Sequence, residues 1–219
     1  MEVPAEGSEV TLDQLALKYG TDKSSADHNY CPLYQRHLPI RGKKFALLEL
    51  GVWHGASLRM WREYFPNATI VGIDNRDRHI QIEGVDIHIC SQENEEGLFS
   101  LRGLYPDFGV IIDDASHISS KTITAFRALW PALAPGGVYV IEDLQTSYDM
   151  EHYPGEAYPD PEGMHRGGRT PGGRLTAMAW CKRMADEVNS SLFPENYRLG
   201  YDIASVAFYP NICFLTKAG

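Results

Sequence analysis

Two short acidic stretches of this 219-residue sequence have the residue types of a metal-assisted proton transfer. Each follows an apolar, strand-like run, and the first is followed closely by a histidine. Carboxylate oxygens are preferred ligands of Mg²⁺, which usually keeps water positions that the oxygens of a substrate can take. A histidine, whose ordinary pKa is near 6.5, can accept the proton of a metal-bound hydroxyl. The residues concerned are Asp113, Asp114, His117, Glu142 and Asp143.

Simpler explanations exist for single members of this group. Asp113 or Asp114 could cap a helix, and His117 could be a structural histidine with its hydrogen bonds satisfied. Four carboxylates at neighbouring strand ends are harder to explain in this way, because crowded acids are costly unless a positive charge lies among them. The pattern therefore favours a divalent-cation site with His117 placed to remove a proton.

A second group of residues indicates an adenosine-type ligand. Gly51 and Gly55 follow the first strand-like run and would let backbone approach a ligand at the start of a helix, whose amino end favours an anion. Asp74 ends the next run, where an acid can accept both hydroxyls of a ribose. Ser91 and Gln92 follow the third run and are placed to meet the rim of an adenine ring.

Each of these signals has an alternative when it is taken alone. The glycines could belong to a simple tight turn, and their spacing is not the GxGxxG of a dinucleotide site. The polar pair Ser91-Gln92 could cap the next helix. Glycines and an acid about twenty residues apart nevertheless specify an adenosine ligand better together than separately.

The elements that must position these residues alternate between strand-like runs and segments of helical period. This alternation predicts a parallel sheet with helices on both faces. The predicted strands are Phe45–Leu50, Thr69–Asp74, Val85–Cys90, Phe108–Asp113 and Gly137–Glu142, and the predicted helices between them are Ser57–Phe65, Glu93–Gly103 and Ser119–Leu133. A further helix over Gly173–Leu192 precedes a hairpin of Tyr197–Tyr209 and Ile212–Lys217. The fold class is therefore α/β, a mostly parallel, Rossmann-like, seven-stranded sheet with a C-terminal antiparallel hairpin.

Two regions lie outside the repeated units of strand and helix. Residues 1–40 are predicted as an N-terminal helical appendage to a domain of residues 41–219, with a short helix at Leu12–Tyr19 across the edge of the sheet or the mouth of the site. Residues 145–172 have no apolar periodicity, and a loop of that length is typical of a lid or a disordered segment. The candidate substrate contacts of these regions are aromatic or basic, and they are His28, Tyr30, Tyr34, Tyr148, His152, Tyr153, Tyr158, His165, Arg166 and Arg169.

Composition narrows the class of protein. A net charge of −9 argues against a nucleic-acid partner. We find neither an apolar run of membrane-spanning length nor a leader pattern, so we expect no membrane partner and a cytoplasmic location. The four cysteines lack metal-binding spacing and are expected to be reduced, buried thiols.

Four motifs together resemble bacterial sugar O-methyltransferases of macrolide tailoring, of the mycinamicin and macrocin type. The motifs span most of the chain, and they are Leu17–Lys23, Glu49–Ser57, Asp113–His117 and Ile141–Leu144. The resemblance implies a class I methyltransferase fold that uses S-adenosylmethionine and Mg²⁺, and as substrate a deoxysugar hydroxyl of a secondary metabolite. It further implies that His117 is the general base and that the metal ligands are Asp114, Glu142 and Asp143. The donor ligands it implies are Glu49, Gly51 and Asp74, to which we add Gly55, Ser57, Ser91, Gln92 and Asp113.

Other functions stay open at this point. A chain of this kind could bind the same cofactor and hydroxylate, cyclise or rearrange its substrate, since fold does not determine function. It could also be a non-catalytic, cofactor-binding partner protein, although a sensor has no evident need for a metal and a base. A nicotinamide dehydrogenase is disfavoured by the glycine spacing. The sugar enzymes often carry a larger N-terminal portion that helps to assemble an oligomer. Their oligomeric state therefore does not transfer to this chain, and a homo-oligomer stays open.

Overall fold

The computed structural model describes residues 10–39, 41–156, 168–170, 172–192, 195 and 198–219. Seven strands form one sheet in the order β3-β2-β1-β4-β5-β7-β6. The first five pair in parallel, and β7 pairs antiparallel with both β5 and β6. The predicted fold class is therefore confirmed. The strands are β1 Ala46–Leu50, β2 Thr69–Asp74, β3 Val85–Ile89, β4 Phe108–Asp113, β5 Leu133–Ile141, β6 Ile203–Tyr209 and β7 Ile212–Lys217.

Six α-helices cover the two faces of this sheet in the described ranges. They are α1 Leu12–Tyr19, α2 Cys31–His37, α3 Ala56–Tyr64, α4 Glu95–Ser100, α5 Ser119–Leu129 and α6 Ala177–Glu187. Buried residues of α1, α2 and α3 pack with one face of the sheet, and those of α4, α5 and α6 pack with the other. None of the described helices is long and apolar enough to cross a membrane.

The register of the central strands brings the chemically important residues to one edge. Leu50 pairs with Ile73 and with Asp113, and Asp113 pairs with Ile141. All five residues of β1 are buried, as expected for a central parallel strand with helices on both faces. The residues that follow β1, β4 and β5 therefore emerge side by side.

The described part of residues 1–40 packs into the core. Helix α1 begins at a capping box formed by Thr11 and Gln14, and it ends at Gly20 in the left-handed region. Leu15 of α1 and Tyr34 of α2 are fully buried in the same cluster as Leu47 of β1. The loop between the two helices is thereby held against the carboxyl edge of the sheet.

Several predicted boundaries were wrong. Within the predicted helix Gly173–Leu192, α6 covers only Ala177–Glu187. Thr176 caps its start by accepting from the Ala179 amide, and Ser190–Leu192 form a separate 3₁₀ turn. Helix α5 ends at Leu129, and after a 3₁₀ turn the strand β5 begins at Leu133, earlier than expected.

Helix α2 was missed, because seven residues are too few to show a clear apolar period. Its first turn holds a proline, Pro32, which is a helix-start signal only where a helix is already suspected. The predicted start of the hairpin, Tyr197, lies outside the described residues.

Candidate functional site

A cavity of about 640 Å³ opens at the carboxyl edge of the sheet, between the ends of β1 and β4. The strand order reverses at this point, and open α/β sheets bind their ligands there. Of the predicted donor ligands, the cavity wall includes Gly51, Ser57, Asp74, Ser91 and Gln92, and it does not include Glu49, Gly55 and Asp113. It also includes Asp114, His117 and Asp143 of the acidic group.

The turn after β1 depends on Gly51. Its φ is +98°, and a Cβ at this position would collide with the backbone carbonyl of Asp114. The close approach allowed by this glycine is therefore to the neighbouring strand's backbone, which was not foreseen. Gly55 has a φ of +72° and precedes α3, where it shapes the turn without lining the cavity.

Asp74 organises the same turn from the end of β2. One of its carboxylate oxygens accepts from the amides of Val52 and Trp53, at 3.1 and 3.3 Å, and lies 2.9 Å from Nε of Arg78. Burial acts to raise the pKa of Asp74, but the guanidinium and the amides outweigh it and hold the pKa below its ordinary value. The carboxylate therefore stays ionised and faces the cavity.

Gln92 presents its amide from the loop after β3. Its Nε2 donates to Oδ1 of Asp113 at 2.7 Å, and its Oε1 accepts from the hydroxyl of Ser116. Helix α4 is capped by Asn94, so Gln92 has no capping role. Asp113 is buried behind Gln92, and this burial raises the pKa of Asp113 to about 8. Asp113 therefore contributes to the cavity through Gln92.

Glu49 is likewise buried behind the wall. Its carboxylate accepts from Oγ of Ser57 at 2.8 Å and from Nε1 of Trp61 at 3.3 Å. Burial raises its pKa to about 7. Ser57 is the member of this trio that lines the cavity, and Glu49 supports the wall from behind.

The acidic end of the cavity contains the predicted base. Nε2 of His117 lies 3.5 Å from Oδ2 of Asp143, and the hydroxyl of Tyr30 donates to Oδ1 of the same carboxylate at 3.2 Å. His117 and Asp143 both have left-handed backbones, with φ of +52° and +53°. Such strained conformations in non-glycine residues are concentrated at functional sites.

Glu142 and Asp114 share a partner that the sequence analysis did not identify. Nζ of Lys23 lies 2.9 Å from Oε2 of Glu142 and 2.5 Å from Oδ2 of Asp114, and the hydroxyl of Tyr34 donates to Oε1 of Glu142. Burial alone would lower the pKa of Lys23, but the surrounding carboxylates raise it well above its ordinary value. The positive charge expected among the crowded acids is therefore this lysine. It lies within the Leu17–Lys23 motif, and the need for a counter-ion was the signal that could have found it.

The donor set suits a hard divalent cation. Asp114, His117 and Asp143 each offer one atom, and these atoms lie within 4.8 Å of one another. Two carboxylates at such spacing match the oxygen preference of Mg²⁺. Both oxygens of Glu142 already accept hydrogen bonds, so its role as a third ligand stays a prediction that requires one oxygen to be shared.

Some predicted substrate contacts lie elsewhere. His28 stacks on Tyr30 with ring centroids 5.1 Å apart, and both lie beside Asp143. Tyr34 is fully buried and does not line the cavity. In the described part of residues 145–172, no side chain lines the cavity. Tyr158, His165 and Arg166 lie outside the described residues.

Comparison with known proteins agrees with this geometry. Residues 48–144 match a family model described as a methyltransferase domain. The chain is 34% identical to the 8-demethyl-8-alpha-L-rhamnosyl tetracenomycin-C 2′-O-methyltransferase of Streptomyces olivaceus, over 97% of this chain and 56% of the relative. It is 32% identical to the mycinamicin VI 2″-O-methyltransferase of Micromonospora griseorubida, over 94% of this chain and 52% of the relative.

Solved structures give the same result. The MycE methyltransferase of the mycinamycin biosynthetic pathway, in complex with Mg and S-adenosylhomocysteine, superposes with a TM-score of 0.83 at 31% identity, over 96% of this chain and 54% of that one. The chain thus spans about half the length of the relatives it matches. It carries a methyltransferase domain and is related in sequence and in fold to the sugar O-methyltransferases of bacterial macrolide and tetracenomycin pathways.

Proposed function

We propose that the protein transfers the methyl group of S-adenosylmethionine to a hydroxyl, in a Mg²⁺-dependent reaction. One observation carries this proposal: a single cavity is lined at one end by Asp74, Ser91 and Gln92 and at the other by Asp114, His117 and Asp143. A nucleoside-binding end and a metal-and-base end within one cavity are what methyl transfer to an activated oxygen requires.

The donor end would bind the cofactor through residues at the ends of β1, β2 and β3. Asp74 is ionised and would accept from the ribose hydroxyls, while Ser91 and Gln92, which also line the cavity, would contact the adenine. Glu49 and Asp113 would act indirectly, because their carboxylates orient Ser57 and Gln92.

The acidic end would hold Mg²⁺ between Asp114 and Asp143, with Glu142 as a further ligand. A bound Mg²⁺ lowers the pKa of a hydroxyl that it contacts. His117 would take that proton at its imidazole, and Asp143, close to Nε2, would stabilise the resulting imidazolium. Catalysis by this chain would consist mainly of orientation and charge stabilisation.

The proposed acceptor is a small molecule with a deoxysugar hydroxyl, with two vicinal oxygens available to the metal. The similar proteins are named for methylation of a rhamnosyl tetracenomycin and of mycinamicin VI, which supports a glycosylated natural product. The stacked rings of His28 and Tyr30 offer a flat surface beside Asp143. A net charge of −9 speaks against nucleic acid as the acceptor.

The proposed location is the cytoplasm. All four cysteines are free and buried, which is the condition expected in a reducing compartment.

Titration calorimetry of the purified protein with S-adenosylmethionine and with S-adenosylhomocysteine, each with Mg²⁺ and with a chelator, tests the donor site. Saturable one-site binding is expected. Mycinamicin VI, the compound for which one of the similar proteins is named, then serves as acceptor probe, with formation of S-adenosylhomocysteine as the readout. Absence of binding heat under every condition would contradict the proposal. Product formation without S-adenosylhomocysteine would instead indicate another cofactor-dependent reaction.

A further inference from the structure

A buried lysine lies inside the acidic group and joins three strands of the sheet. Nζ of Lys23 lies 2.5 Å from Asp114, 2.9 Å from Glu142 and 3.7 Å from Glu49. Its side chain has no exposed surface. Because these carboxylates belong to or follow β4, β5 and β1, a single ammonium links the neighbouring strand ends around the predicted metal site.

The loop between α1 and α2 holds this lysine firmly. The amides of Tyr30 and Cys31 donate to the carbonyl oxygen of Lys23 at 3.0 and 3.2 Å, and Sγ of Cys31 donates to the same oxygen at 3.2 Å. Ordering and desolvating a lysine side chain is costly. Its contacts with the carboxylates must therefore offset that cost.

Lys23 binds only part of the carboxylate group around it. Three carboxylates lie within 3.7 Å of a single ammonium, so the group has more oxygens than the lysine can bind, and the others are available to a further cation. The lysine also occupies one oxygen of Asp114 and one of Glu142. Asp114 and Asp143 remain partly accessible, with side chains 18% and 13% exposed.

We propose that Lys23 is a positioning residue, a resident cation that holds the carboxylates of Asp114 and Glu142 in one orientation and keeps their lysine-bound oxygens away from the divalent ion. The positive charge of Lys23 lowers the affinity of the site for the metal, and its contacts define the ligand geometry beside His117. This inference rests on the proposed function, because it assumes that the same group binds a divalent ion.

The lysine's charge can be removed with little change in shape by Lys23→Met, and Mn²⁺ alone serves as the probe. Removing a positive charge this close to the ion should tighten Mn²⁺ binding by roughly tenfold or more. The freed oxygens should also replace water ligands, so the bound ion should relax water protons less than in the unsubstituted protein. Calorimetry and water-proton relaxation measure the two effects without any methyl acceptor.

Three variants serve as controls. Lys18→Met makes the same change of net charge at an exposed lysine paired with Glu63, and it should leave Mn²⁺ binding unchanged. Lys23→Arg keeps the charge and should keep the affinity. The double variant Lys23→Met/Glu49→Gln also replaces the buried carboxyl of Glu49 by a neutral amide, and the lowered relaxation should persist in it. It serves in place of Lys23→Met if the single variant fails to fold.

The outcomes separate the inference from the function on which it rests. If the unsubstituted protein binds no Mn²⁺, the metal dependence of the proposed function is wrong. If it binds Mn²⁺ and folded Lys23→Met binds equally or more weakly, with unchanged relaxation, the positioning role of Lys23 is wrong. Tighter binding with lower relaxation in Lys23→Met, and not in Lys18→Met, supports the role.

Discussion

At the scale of single residues, His117 is the group on which the proposed chemistry depends most. It lies on the cavity wall beside Asp143, and its left-handed backbone directs it there at some cost in strain. The proposed donor contacts on the cavity wall, such as Asp74, Ser91 and Gln92, follow or end other strands. Removal of the imidazole should therefore affect proton removal and leave cofactor binding intact.

His117→Ala should lower turnover by about 10²- to 10⁴-fold, the usual contribution of a general base. Its affinity for S-adenosylhomocysteine should change by less than about twofold, because no donor contact is proposed for the ring. Calorimetry and the rate of S-adenosylhomocysteine formation measure these quantities. His152→Ala is the matched control, since His152 is exposed and bonded to Asp149. Lost cofactor binding with retained turnover would contradict the role.

Cys90 offers a chemical probe of the donor end. It lines the cavity, and burial raises its pKa above the ordinary thiol value. Because the thiolate is the reactive form, its labelling by a disulfide reagent should be slow near neutral pH and should keep accelerating as the pH rises past about 8.5.

S-Adenosylhomocysteine at about ten times its Kd should slow the labelling of Cys90 roughly tenfold, because the ligand would exclude the reagent. Stopped-flow absorbance measures the rate, and Cys90→Ser identifies the phase that belongs to this thiol. An unchanged rate at saturation would place the cofactor outside this cavity.

At the scale of elements, the turn from β1 into α3 has the strictest sequence requirement of the described turns around the cavity. Gly51 combines a left-handed backbone with direct packing against the backbone that follows β4. An added methyl group would force apart the strand ends that hold Asp114. We therefore expect an added methyl group at Gly51 to displace residues along the whole carboxyl edge of the sheet.

Gly51→Ala should lower the free energy of unfolding by about 2 to 5 kcal/mol, the sum of backbone strain and overpacking. Gly136→Ala should cost only about 1 to 2 kcal/mol, because that glycine also has a positive φ but has open space around its Cα. Urea denaturation followed by tryptophan fluorescence compares the two. Equal losses of unfolding free energy in the two variants would show that a Cβ at position 51 is tolerated beside the carbonyl of Asp114.

At the scale of the whole molecule, the cavity is assembled from segments that are distant in sequence. Its wall draws on the loop after α1 and on residues that follow β1 through β5. A ligand that contacts several of these segments must leave before they separate. Ligand binding should therefore stabilise the folded chain as a unit.

S-Adenosylhomocysteine at about a hundred times its Kd should add about 2.7 kcal/mol of stability, and should raise the Tm of a chain of this size by roughly 5 to 10 °C. Scanning calorimetry measures the shift. Asp74→Ala should reduce it, since this change removes the carboxylate that also orders the turn at Val52 and Trp53. A full shift in the variant would mean that Asp74 does not contribute to donor binding.

The sequence by itself determined the sheet and the location of the site. Its alternating apolar runs predict parallel strands, and parallel strands place their carboxyl ends at one edge, so Asp74, Asp114 and Asp143 could be placed together without coordinates. Acid and histidine spacing then indicated the chemistry. Local patterns were sufficient because each of these residues lies at the end of a strand or within two residues after it.

Tertiary structure alone decided which side chains line the cavity and which support it from behind. Glu49 and Asp113 are buried behind Ser57 and Gln92, a difference set by the direction of each side chain at its strand end. Lys23 reaches Glu142 across 119 residues of sequence, from a loop placed by the burial of α1 and α2. Contacts of that separation depend on packing, and no local pattern in the chain encodes them.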